Sequence, residues 1–304
     1  MRMLITGASG QLGGYLLQGL KNKDVEVIAW SGSQEGDRWG RRLQRVDLTD
    51  RERVAAAFRA ARPDVVIHAG AITTMADCFR DARRAENVNV QGTAVITELA
   101  AETGARLLFV STDLVFNGEK GWYRETDLPS PVSVYGRTKF AAEQVALGYA
   151  RAAVIRTSLM FGPTLIGRPA FFDHQIAALR DRRPLRLFED EWRTPLSLVT
   201  AARALLALTS TEFAGLIHVG GPERLSRLEM GLRLAAFLGL DPSPIVASTR
   251  SEAVFNETRP RDVSLDSSRC RQFLPELAWP GWSEAVAEQW AILRAEAADY
   301  SGNR

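Results

Sequence analysis

The chain has 304 residues, 46% of them hydrophobic, which is enough to bury a sizeable core in one large domain or two closely packed ones. Its 38 Lys and Arg residues nearly balance 36 Asp and Glu residues, so no overall basic excess indicates a nucleic-acid-binding protein. We expect no membrane association, because no stretch approaches the roughly 20 apolar residues of a transmembrane helix. The first residues also reach a glycine too early for a signal peptide.

Cysteine and histidine usage narrows the chemistry further. Cys78 and Cys270 do not form a disulfide framework in so long a chain, which favours a reducing, cytoplasmic location. His68, His174 and His218 lie far apart without metal-ligand spacing, so no metal site is predicted. We interpret His68 and His218, which end or interrupt apolar runs, as packed structural residues.

Short apolar runs alternate with helical patterns in the first half of the chain. The segment 64–69 is continuously apolar and β-branched, as expected for a strand covered on both faces. Such alternation indicates βαβ units, and hence an α/β fold with a doubly wound, Rossmann-type parallel sheet. The predicted strands are 3–5, 25–30, 64–69, 106–111 and 153–156, and the predicted helices are 11–21, 50–61 with Asp50 as N-cap, 87–103 and 134–149.

The second half is less regular and is predicted to form a smaller, irregular substrate lobe. Its patterns predict helices at 171–182, 198–209 and 228–238, an extended segment at 185–188 and a strand at 216–219. We therefore expect a dinucleotide-binding domain over 1–161 and a substrate lobe over 162–304. Some segments of the lobe, such as about 196–221, are expected to return to the Rossmann domain.

The segment after the first strand carries the pattern G-x-x-G-x-x-G and opens the first helix. Gly7 permits a tight turn, Gly10 lets the backbone approach a pyrophosphate, and Gly13 allows close packing of helix on strand. The helix N-terminus attracts the anion. This turn predicts a dinucleotide site with contacts from Gly7, Ser9, Gly10, Gln11, Leu12 and Gly13; the alternative is a tight turn that binds nothing.

The end of the second strand bears on the choice of cofactor. The acid that holds a ribose 2′-hydroxyl in NAD-binding sites is missing, and Ser31 stands there, followed by Arg38, Arg41 and Arg42. Serine and arginine accept a 2′-phosphate that an acid would repel, so NADP(H) is favoured and NAD(H) is the alternative. Arg41, Arg42 and Arg45 also form a basic cluster, which we interpret as a solvated face.

The next βα loop carries Asp47 and Leu48. Asp47 is predicted to bind the adenine, with Leu48 as a neighbouring cofactor contact. The alternative role of Asp47 is to cap a helix or to form a turn.

Three side chains form a candidate acid–base group. Tyr135 and Lys139 are four residues apart and share one helix face. A Lys ammonium beside the phenol is expected to lower the phenol pKa toward neutrality, which suits proton transfer in carbonyl reduction. Thr112 ends a predicted central strand, where ligands lie in doubly wound sheets, and its hydroxyl can orient a substrate carbonyl. The alternatives are a surface Tyr–Lys pair and simple capping of the strand end by Ser111 and Thr112.

With these motifs the chain resembles the extended short-chain dehydrogenase/reductases over essentially its whole length. The similarity includes the glycine turn, His68-Ala69-Gly70-Ala71, Asn89-Val90-Gln91-Gly92-Thr93 and Tyr135 through Lys139. Within that group it is most similar to the dTDP-4-dehydrorhamnose reductases. That similarity rests on Ser111-Thr112-Asp113-Leu114-Val115-Phe116-Asn117-Gly118, Pro131-Val132-Ser133-Val134-Tyr135-Gly136, Arg156-Thr157-Ser158 and Arg259-Pro260.

The resemblance implies hydride transfer from NAD(P)H to C4 of a 4-keto-6-deoxysugar nucleotide. It assigns Tyr135 as proton donor, Lys139 as its tuner and cofactor ligand, and Thr112 as carbonyl ligand. It also implies cofactor contacts at Ala69, Gly70, Ala71 and Asn89, and substrate contacts at Thr112, Asp113, Arg193 and Arg259.

Several residues refine this expectation. Leu114 and Leu159 stand where the rhamnose-forming enzymes carry aromatic rings, which changes the sugar pocket. Asp113 is followed by Leu114 rather than by the glutamate of related dehydratases, which disfavours elimination. Charge-assisted contacts to a substrate diphosphate are expected from arginines in the second half: Arg168, Arg193, Arg259 and Arg261. Trp192 and Trp279 are expected mainly in the core.

Two other functions share these motifs. A sugar-nucleotide epimerase uses the same triad but consumes no NADPH overall. A non-catalytic regulatory subunit resembling the β-subunit of methionine adenosyltransferase has a dinucleotide-binding body and a partner enzyme. A homodimer is a further possibility.

Overall fold

The computed structural model describes residues 1–166 and 168–302, with side chains described up to residue 294. Strands and helices alternate along most of the chain. In chain order the strands are β1 (Arg2–Thr6), β2 (Glu26–Ser31), β3 (Gly36–Arg38), β4 (Arg41–Arg45), β5 (Val65–His68), β6 (Arg106–Thr112), β7 (Ala152–Thr157), β8 (Met160–Phe161), β9 (Leu185–Phe188), β10 (Trp192–Arg193), β11 (Leu196–Ser197), β12 (Gly215–Val219), β13 (Leu225–Ser226) and β14 (Ile245–Ser248).

The helices connect these strands on both sides of the sheet. In chain order the α-helices are α1 (Gln11–Gly19), α2 (Arg51–Ala61), α3 (Met75–Arg80), α4 (Ala82–Glu86), α5 (Gly92–Thr103), α6 (Val134–Leu147), α7 (Phe171–Arg180), α8 (Leu198–Thr209), α9 (Arg227–Leu238), α10 (Ser268–Phe273) and α11 (Trp282–Gly302). A π-helical turn at Asn87–Gln91 precedes α5, and 3-10 turns lie at Asp113–Val115 and Arg250–Glu252.

Eight strands form one sheet in the order β12-β7-β6-β5-β1-β2-β4-β3. All neighbours are parallel except β3 and β4. The chain moves outward from β1 in one direction through β2 and β4, and then crosses back to β5 and moves outward in the other. This reversal leaves a crevice beyond the carboxyl ends of β1 and β5, the place where doubly wound sheets bind ligands.

Apolar residues alternate along β1 and bury both faces of the sheet. Met3 and Ile5 pack into a core with α1 and α8, while Leu4 packs into a second core with α2, α5 and α6. Helices on both faces confirm the predicted α/β, doubly wound Rossmann-type fold. The predicted cap is also present, since the Asp50 side chain accepts a hydrogen bond from the Arg53 N–H at the start of α2.

Several elements of the fold were not predicted, among them the ribbon of β3 and β4 and the helix α11. The ribbon of β3 and β4 has the sequence Arg41-Arg42-Leu43-Gln44-Arg45 in its second strand, and only Leu43 is buried there. The ribbon lies at one end of the sheet and buries little apolar surface, so its hydrophobic pattern is weak. The long helix α11 packs its first turns, through Trp282 and Val286, into the lobe core with Phe161 and Leu234.

A buried ion pair fastens α6 to the sheet. Glu143 Oε2 lies 2.7 Å from Arg156 Nη2 in β7, and Glu143 Oε1 accepts a 2.5 Å hydrogen bond from Ser111 in β6. Arg156 Nη1 also lies 3.4 Å from Nε2 of His218 in β12. Because α6 carries Tyr135 and Lys139, this network sets their position relative to the ends of β6 and β7.

The buried Glu143–Arg156 ion pair predicts a large loss of stability when either partner is removed. Glu143→Ala would leave the buried Arg156 guanidinium without its carboxylate, and we expect a loss of about 3–5 kcal/mol in the free energy of unfolding measured with urea. Gln144→Ala, the exposed neighbour on the same helix, serves as control and should change it by less than about 0.5 kcal/mol. Equal effects of the two variants would contradict this role of Glu143.

Candidate functional site

A cleft of about 610 Å³ opens at the carboxyl ends of the central strands. The glycine turn lines one end, and the ends of β6 and β7 line the other. Most of the residues that the sequence assigned to the site line this cleft: Gly7, Ser9, Gly10, Gln11, Leu12, Gly13, Ser31, Asp47, Leu48, Ala69, Gly70, Ala71, Thr112, Asp113, Tyr135, Lys139, Arg193 and Arg259.

The glycine turn leaves no room for side chains at two of its three glycines. Gly7 has φ +70°, and a Cβ added there would lie 2.8 Å from the backbone of Ala69 and Gly70 in the neighbouring strand loop. A Cβ at Gly13 would lie 2.6 Å from Ala8 Cα. A Cβ at Gly10 would meet only the Gly7 carbonyl, at 3.1 Å. The turn is therefore compact, and Gly10 presents bare backbone to the cleft.

The first turn of α1 has no side-chain cap. Its N-cap is Gly10, which offers no acceptor, so no side chain accepts from the N–H groups that follow. Helices α2, α3, α6, α8 and α9, by contrast, each begin at a side chain that accepts such a hydrogen bond. The N-terminus of α1 is therefore open to an anion, and the positive end of the helix dipole favours one.

The end of β2 presents a hydroxyl rather than a carboxylate to the cleft. Ser31 donates a 2.8 Å hydrogen bond to the Ser9 hydroxyl and accepts from the Gln34 N–H at 2.9 Å. The arginines named from the sequence, Arg38, Arg41 and Arg42, lie in β3 and β4 and do not line the cleft. The exposed Arg84 is the arginine that lines the cleft at this end, where its charge helps to lower the pKa of Asp47.

Asp47 forms the turn that was considered as its alternative role, at the wall of the cleft. It lines the cleft, and its Oδ1 accepts hydrogen bonds from the Thr49 N–H at 2.9 Å and hydroxyl at 2.8 Å, which close a turn. These bonds, the backbone one first, lower the pKa of Asp47 below its usual value.

Asn89 lies behind the cleft wall rather than in it, which corrects the expectation of a direct cofactor contact. Its side chain is buried, accepts from the Ile72 N–H at 2.8 Å and donates to the Ile72 carbonyl at 3.0 Å. It also donates to the Thr138 hydroxyl at 3.0 Å. Both ends of the amide are thus used within the protein, so Asn89 positions the backbone of the wall beside α6.

Tyr135, Lys139 and Thr112 converge at the inner end of the cleft. Lys139 Nζ donates to the Val110 carbonyl at 2.7 Å, and the Thr112 side chain is close enough to the Tyr135 phenol to act on its pKa. Gly136 makes this approach possible, because a Cβ there would overlap the Leu114 carbonyl in the turn after β6. All three side chains are at least nine-tenths buried but line the cleft.

The electrostatics differ from the expectation for Tyr135. Burial raises the pKa of its phenol above the usual value, and the hydrogen bond from Thr112 opposes this only in part. Burial also lowers the pKa of Lys139 to about 7 against the attraction of Glu143. Desolvation is therefore the largest influence on the pKa of both groups. The phenol is held in its protonated form at neutral pH, which is the form that a proton donor needs.

The substrate end of the cleft begins at Asp113. Its carboxylate is buried, accepts from the Ser158 hydroxyl at 3.1 Å and lies 3.7 Å from Arg193 Nε. Burial raises the pKa of Asp113, and Arg193 opposes the shift. Leu114 and Leu159, the two departures noted from the sequence, line the same end, so the cleft has aliphatic side chains there.

Two residues of this end were missed from the sequence. Arg227, the first residue of α9, lines the cleft together with Arg193 and Arg259. The buried Glu191 contacts all three arginines. The sequence marks Arg227 only as the first residue of a helix with a Ser226–Glu229 capping box. This does not indicate a site residue, because only the tertiary fold brings Arg227 to the cleft.

The remaining expectations concern residues away from the cleft. Arg168 and Arg261 are exposed and do not line it, and Trp192 packs under the Arg224 guanidinium at 4.0 Å. His68 and His218 are buried, and burial lowers the pKa of each to about 3, in agreement with a packed role. Both cysteines are free and buried.

In the described part of the chain, no cluster of three or more His, Cys, Asp or Glu side chains is placed to hold a metal ion. None of the helices described combines the length and the apolar character that crossing a bilayer requires.

Fold and site define the class of protein: the extended short-chain dehydrogenase/reductases, which are NAD(P)-dependent oxidoreductases. Within that class, the family model for the RmlD substrate binding domain matches residues 1–294, and the chain belongs to this family.

Known proteins of two kinds resemble the chain. A dTDP-4-dehydrorhamnose reductase from Streptomyces griseus is 30% identical over 96% of this chain and 94% of its own length. The crystal structure of a dTDP-4-dehydrorhamnose reductase from Clostridium acetobutylicum superposes with a TM-score of 0.86 at 27% identity, covering 97% of this chain and all of the other. Methionine adenosyltransferase 2 subunit beta from Danio rerio is 27% identical over 88% of this chain and 83% of its own.

The glycine contacts predict two distinguishable defects. Gly10→Ala should leave the thermal unfolding midpoint nearly unchanged but weaken dinucleotide binding at least tenfold, because the new methyl group faces the cleft. Gly13→Ala should lower the thermal unfolding midpoint and also weaken dinucleotide binding, since its methyl group would push α1 away from the turn. Binding is measured by titration calorimetry with NADPH and NADH. Tight binding by Gly10→Ala would contradict the assignment of this turn to the pyrophosphate.

Proposed function

We propose that the chain reduces a 4-keto-6-deoxysugar nucleotide with NAD(P)H, in the manner of a dTDP-4-dehydrorhamnose reductase. The observation that carries the proposal is the convergence of Thr112, Tyr135 and Lys139 in the cleft that also holds the open glycine turn. A keto sugar bound at the inner end would lie between a proton donor and the cofactor.

The cleft fits a nicotinamide dinucleotide by its own contacts. The bare backbone of Gly10 and the uncapped N-terminus of α1 suit a pyrophosphate, and Asp47 and Ser31 suit the adenosine end. Lys139 would bind the nicotinamide ribose. Bound there, the reduced cofactor supplies a hydride to the carbonyl carbon of the substrate. The absence of an acid at Ser31 favours NADP(H), with NAD(H) as the alternative.

The protein's part in the reaction is to orient the carbonyl and to supply a proton. Thr112 would donate a hydrogen bond to the carbonyl oxygen in place of the 3.1 Å bond that its hydroxyl makes to Asp113 Oδ1. Tyr135, kept protonated by burial, would give its phenolic proton to the same oxygen as charge develops there. The Lys139 ammonium would then stabilise the tyrosinate that remains.

The substrate contacts follow the other end of the cleft. Asp113 and Arg193 lie beside Thr112, where the sugar would bind, and Arg259 lies farther out, where the diphosphate of a sugar nucleotide would follow. Aliphatic Leu114 and Leu159 suit a 6-deoxy carbon, which has no hydroxyl to satisfy.

Turnover is tested by following NADPH absorbance with a panel of 4-keto-6-deoxysugar nucleotides. Wild type should consume NADPH, and Tyr135→Phe should lower kcat by about 100-fold or more while the Kd for NADPH stays within about threefold. Lys139→Ala should lower kcat and also weaken NADPH binding. Tyr149→Phe serves as control, because the Tyr149 hydroxyl contacts the Ala105 carbonyl away from the cleft.

The alternatives give different results in that assay. An epimerase would interconvert sugar nucleotides without net NADPH consumption. A regulatory subunit would bind the dinucleotide but turn over none of the panel, and would co-purify with a partner enzyme. Unchanged turnover by Tyr135→Phe would refute the assigned proton donor.

The cofactor preference is tested at Ser31. Aspartate at this position could still accept from the Gln34 N–H that Ser31 now serves, but its charge would repel a 2′-phosphate. Ser31→Asp should therefore lower kcat/KM for NADPH by about tenfold or more and leave that for NADH within about threefold, as measured with both cofactors at equal concentration. An unchanged ratio would show that the 2′ position lies elsewhere.

A further inference from the structure

Glu191 lies at the centre of a cluster of three arginines that come from distant parts of the chain. Its Oε1 is 2.8 Å from Arg227 Nε and 3.3 Å from Arg193 Nη2. Arg259 contacts both carboxylate oxygens, with Nε 2.9 Å from Oε2 and Nη2 3.1 Å from Oε1. The Glu191 side chain has no exposed surface, so this single carboxylate faces guanidinium groups rather than water.

The cluster keeps an excess of positive charge on the cleft wall. With Asp113, which lies beside Arg193, three arginines face two carboxylates, which leaves one positive charge in excess. All three arginines line the cleft. An anion that entered the cleft would therefore find charge that the protein has not neutralised.

The three arginines are not equally available to a ligand. The Arg193 side chain is 4% exposed, and its Nη1 donates a 2.7 Å hydrogen bond to the Trp192 carbonyl. The side chains of Arg227 and Arg259 are 16% and 28% exposed, and Glu191 engages Arg227 through Nε and Arg259 through Nε and Nη2. Their outer N–H groups are thus the ones that a ligand can reach.

Aromatic rings fix the same two guanidinium groups from the side. Arg227 lies 5.2 Å from the centre of the Phe171 ring, and Arg259 lies 5.1 Å from that of Phe255. A carboxylate behind and a ring beside each guanidinium restrict its rotamers before any ligand binds. Such preorganisation lowers the ordering cost that binding would otherwise carry.

We propose that Glu191 is a positioning residue that holds Arg227 and Arg259 as a two-guanidinium site for the diphosphate of a nucleotide substrate. This inference rests on the proposed function for the substrate class. Two planar forks side by side match the oxygens of a diphosphate, which carries charge on both phosphorus centres. Arg193 links Glu191 to Asp113, the neighbour of Thr112, so the anion site is held in register with the carbonyl site.

The decisive variant is Glu191→Gln, because two explanations predict opposite signs. Removal of a negative charge alone would make the cluster more positive and tighten anion binding. Loss of positioning would weaken it, and we expect the Kd for thymidine diphosphate to rise about tenfold despite the added positive charge. Unchanged or tighter binding by a folded Glu191→Gln would overturn the proposal.

The arginines are tested with a charge-matched control. Arg227→Gln should raise the Kd for thymidine diphosphate at least tenfold and that for thymidine monophosphate less than threefold, measured by calorimetry on the full chain. Arg233→Gln removes the same charge from the outer face of α9, where Arg233 pairs with Glu223, and should change neither by more than about twofold. Equal loss in both arginine variants would overturn the proposal.

Folding and turnover are kept separate from this test. If Glu191→Gln does not fold, Arg227→Gln and Arg259→Lys decide, and unchanged diphosphate binding by both overturns the proposal. Where turnover is measurable, these variants should raise KM for the sugar nucleotide with kcat within about threefold, since they act away from the reacting carbon. A wild-type chain that binds thymidine and uridine diphosphate yet reduces no keto sugar would refute the reductase alone. One that binds neither diphosphate would refute this site.

Discussion

The functional geometry depends on how closely helix α1 approaches the end of strand β1. Glycine at 7 and 13 removes the two side chains that would hold the helix away from the turn, and the positive φ of Gly7 turns the chain sharply enough to begin the helix at once. The result is a helix N-terminus directed into the crevice at the point where the strand order reverses. If α1 were displaced outward, the cleft would lose this helix N-terminus even with Thr112, Tyr135 and Lys139 in place.

The second half of the site is held by a different kind of contact. Tyr135 and Lys139 belong to α6, whose position depends on the buried Glu143–Arg156 pair and on the close contact between Gly136 and the turn after β6. A buried ion pair is a weak source of net stability but strongly disfavours arrangements in which either charge loses its partner. The pair thus specifies where α6 lies more than it strengthens the fold.

Sequence patterns found the parts of the site that depend on local geometry. The glycine turn, the Tyr–Lys spacing and Thr112 at a strand end are each set by a few consecutive residues, and the parallel sheet brings them to one edge. The patterns did not find Glu191 or Arg227, because their roles arise from contacts among residues 191, 227 and 259, which no local period marks. Asn89 was misplaced for a related reason: its motif is local, but the π-helical turn at Asn87–Gln91 directs its amide to Ile72 and Thr138.

Burial at the inner end of the cleft reverses the simplest expectation for acid–base tuning. In an exposed Tyr–Lys pair, the ammonium would lower the pKa of the phenol. Here desolvation acts on both groups, so that it raises the pKa of Tyr135 and lowers that of Lys139. Both side chains are thereby shifted toward their neutral forms. A neutral phenol can donate a proton, so the same burial that excludes water also keeps this side chain in the form that the proposed proton transfer requires. Ligand groups that approach Lys139 would restore its charge, and the pair would then approach the arrangement in which the ammonium stabilises the tyrosinate left after proton transfer.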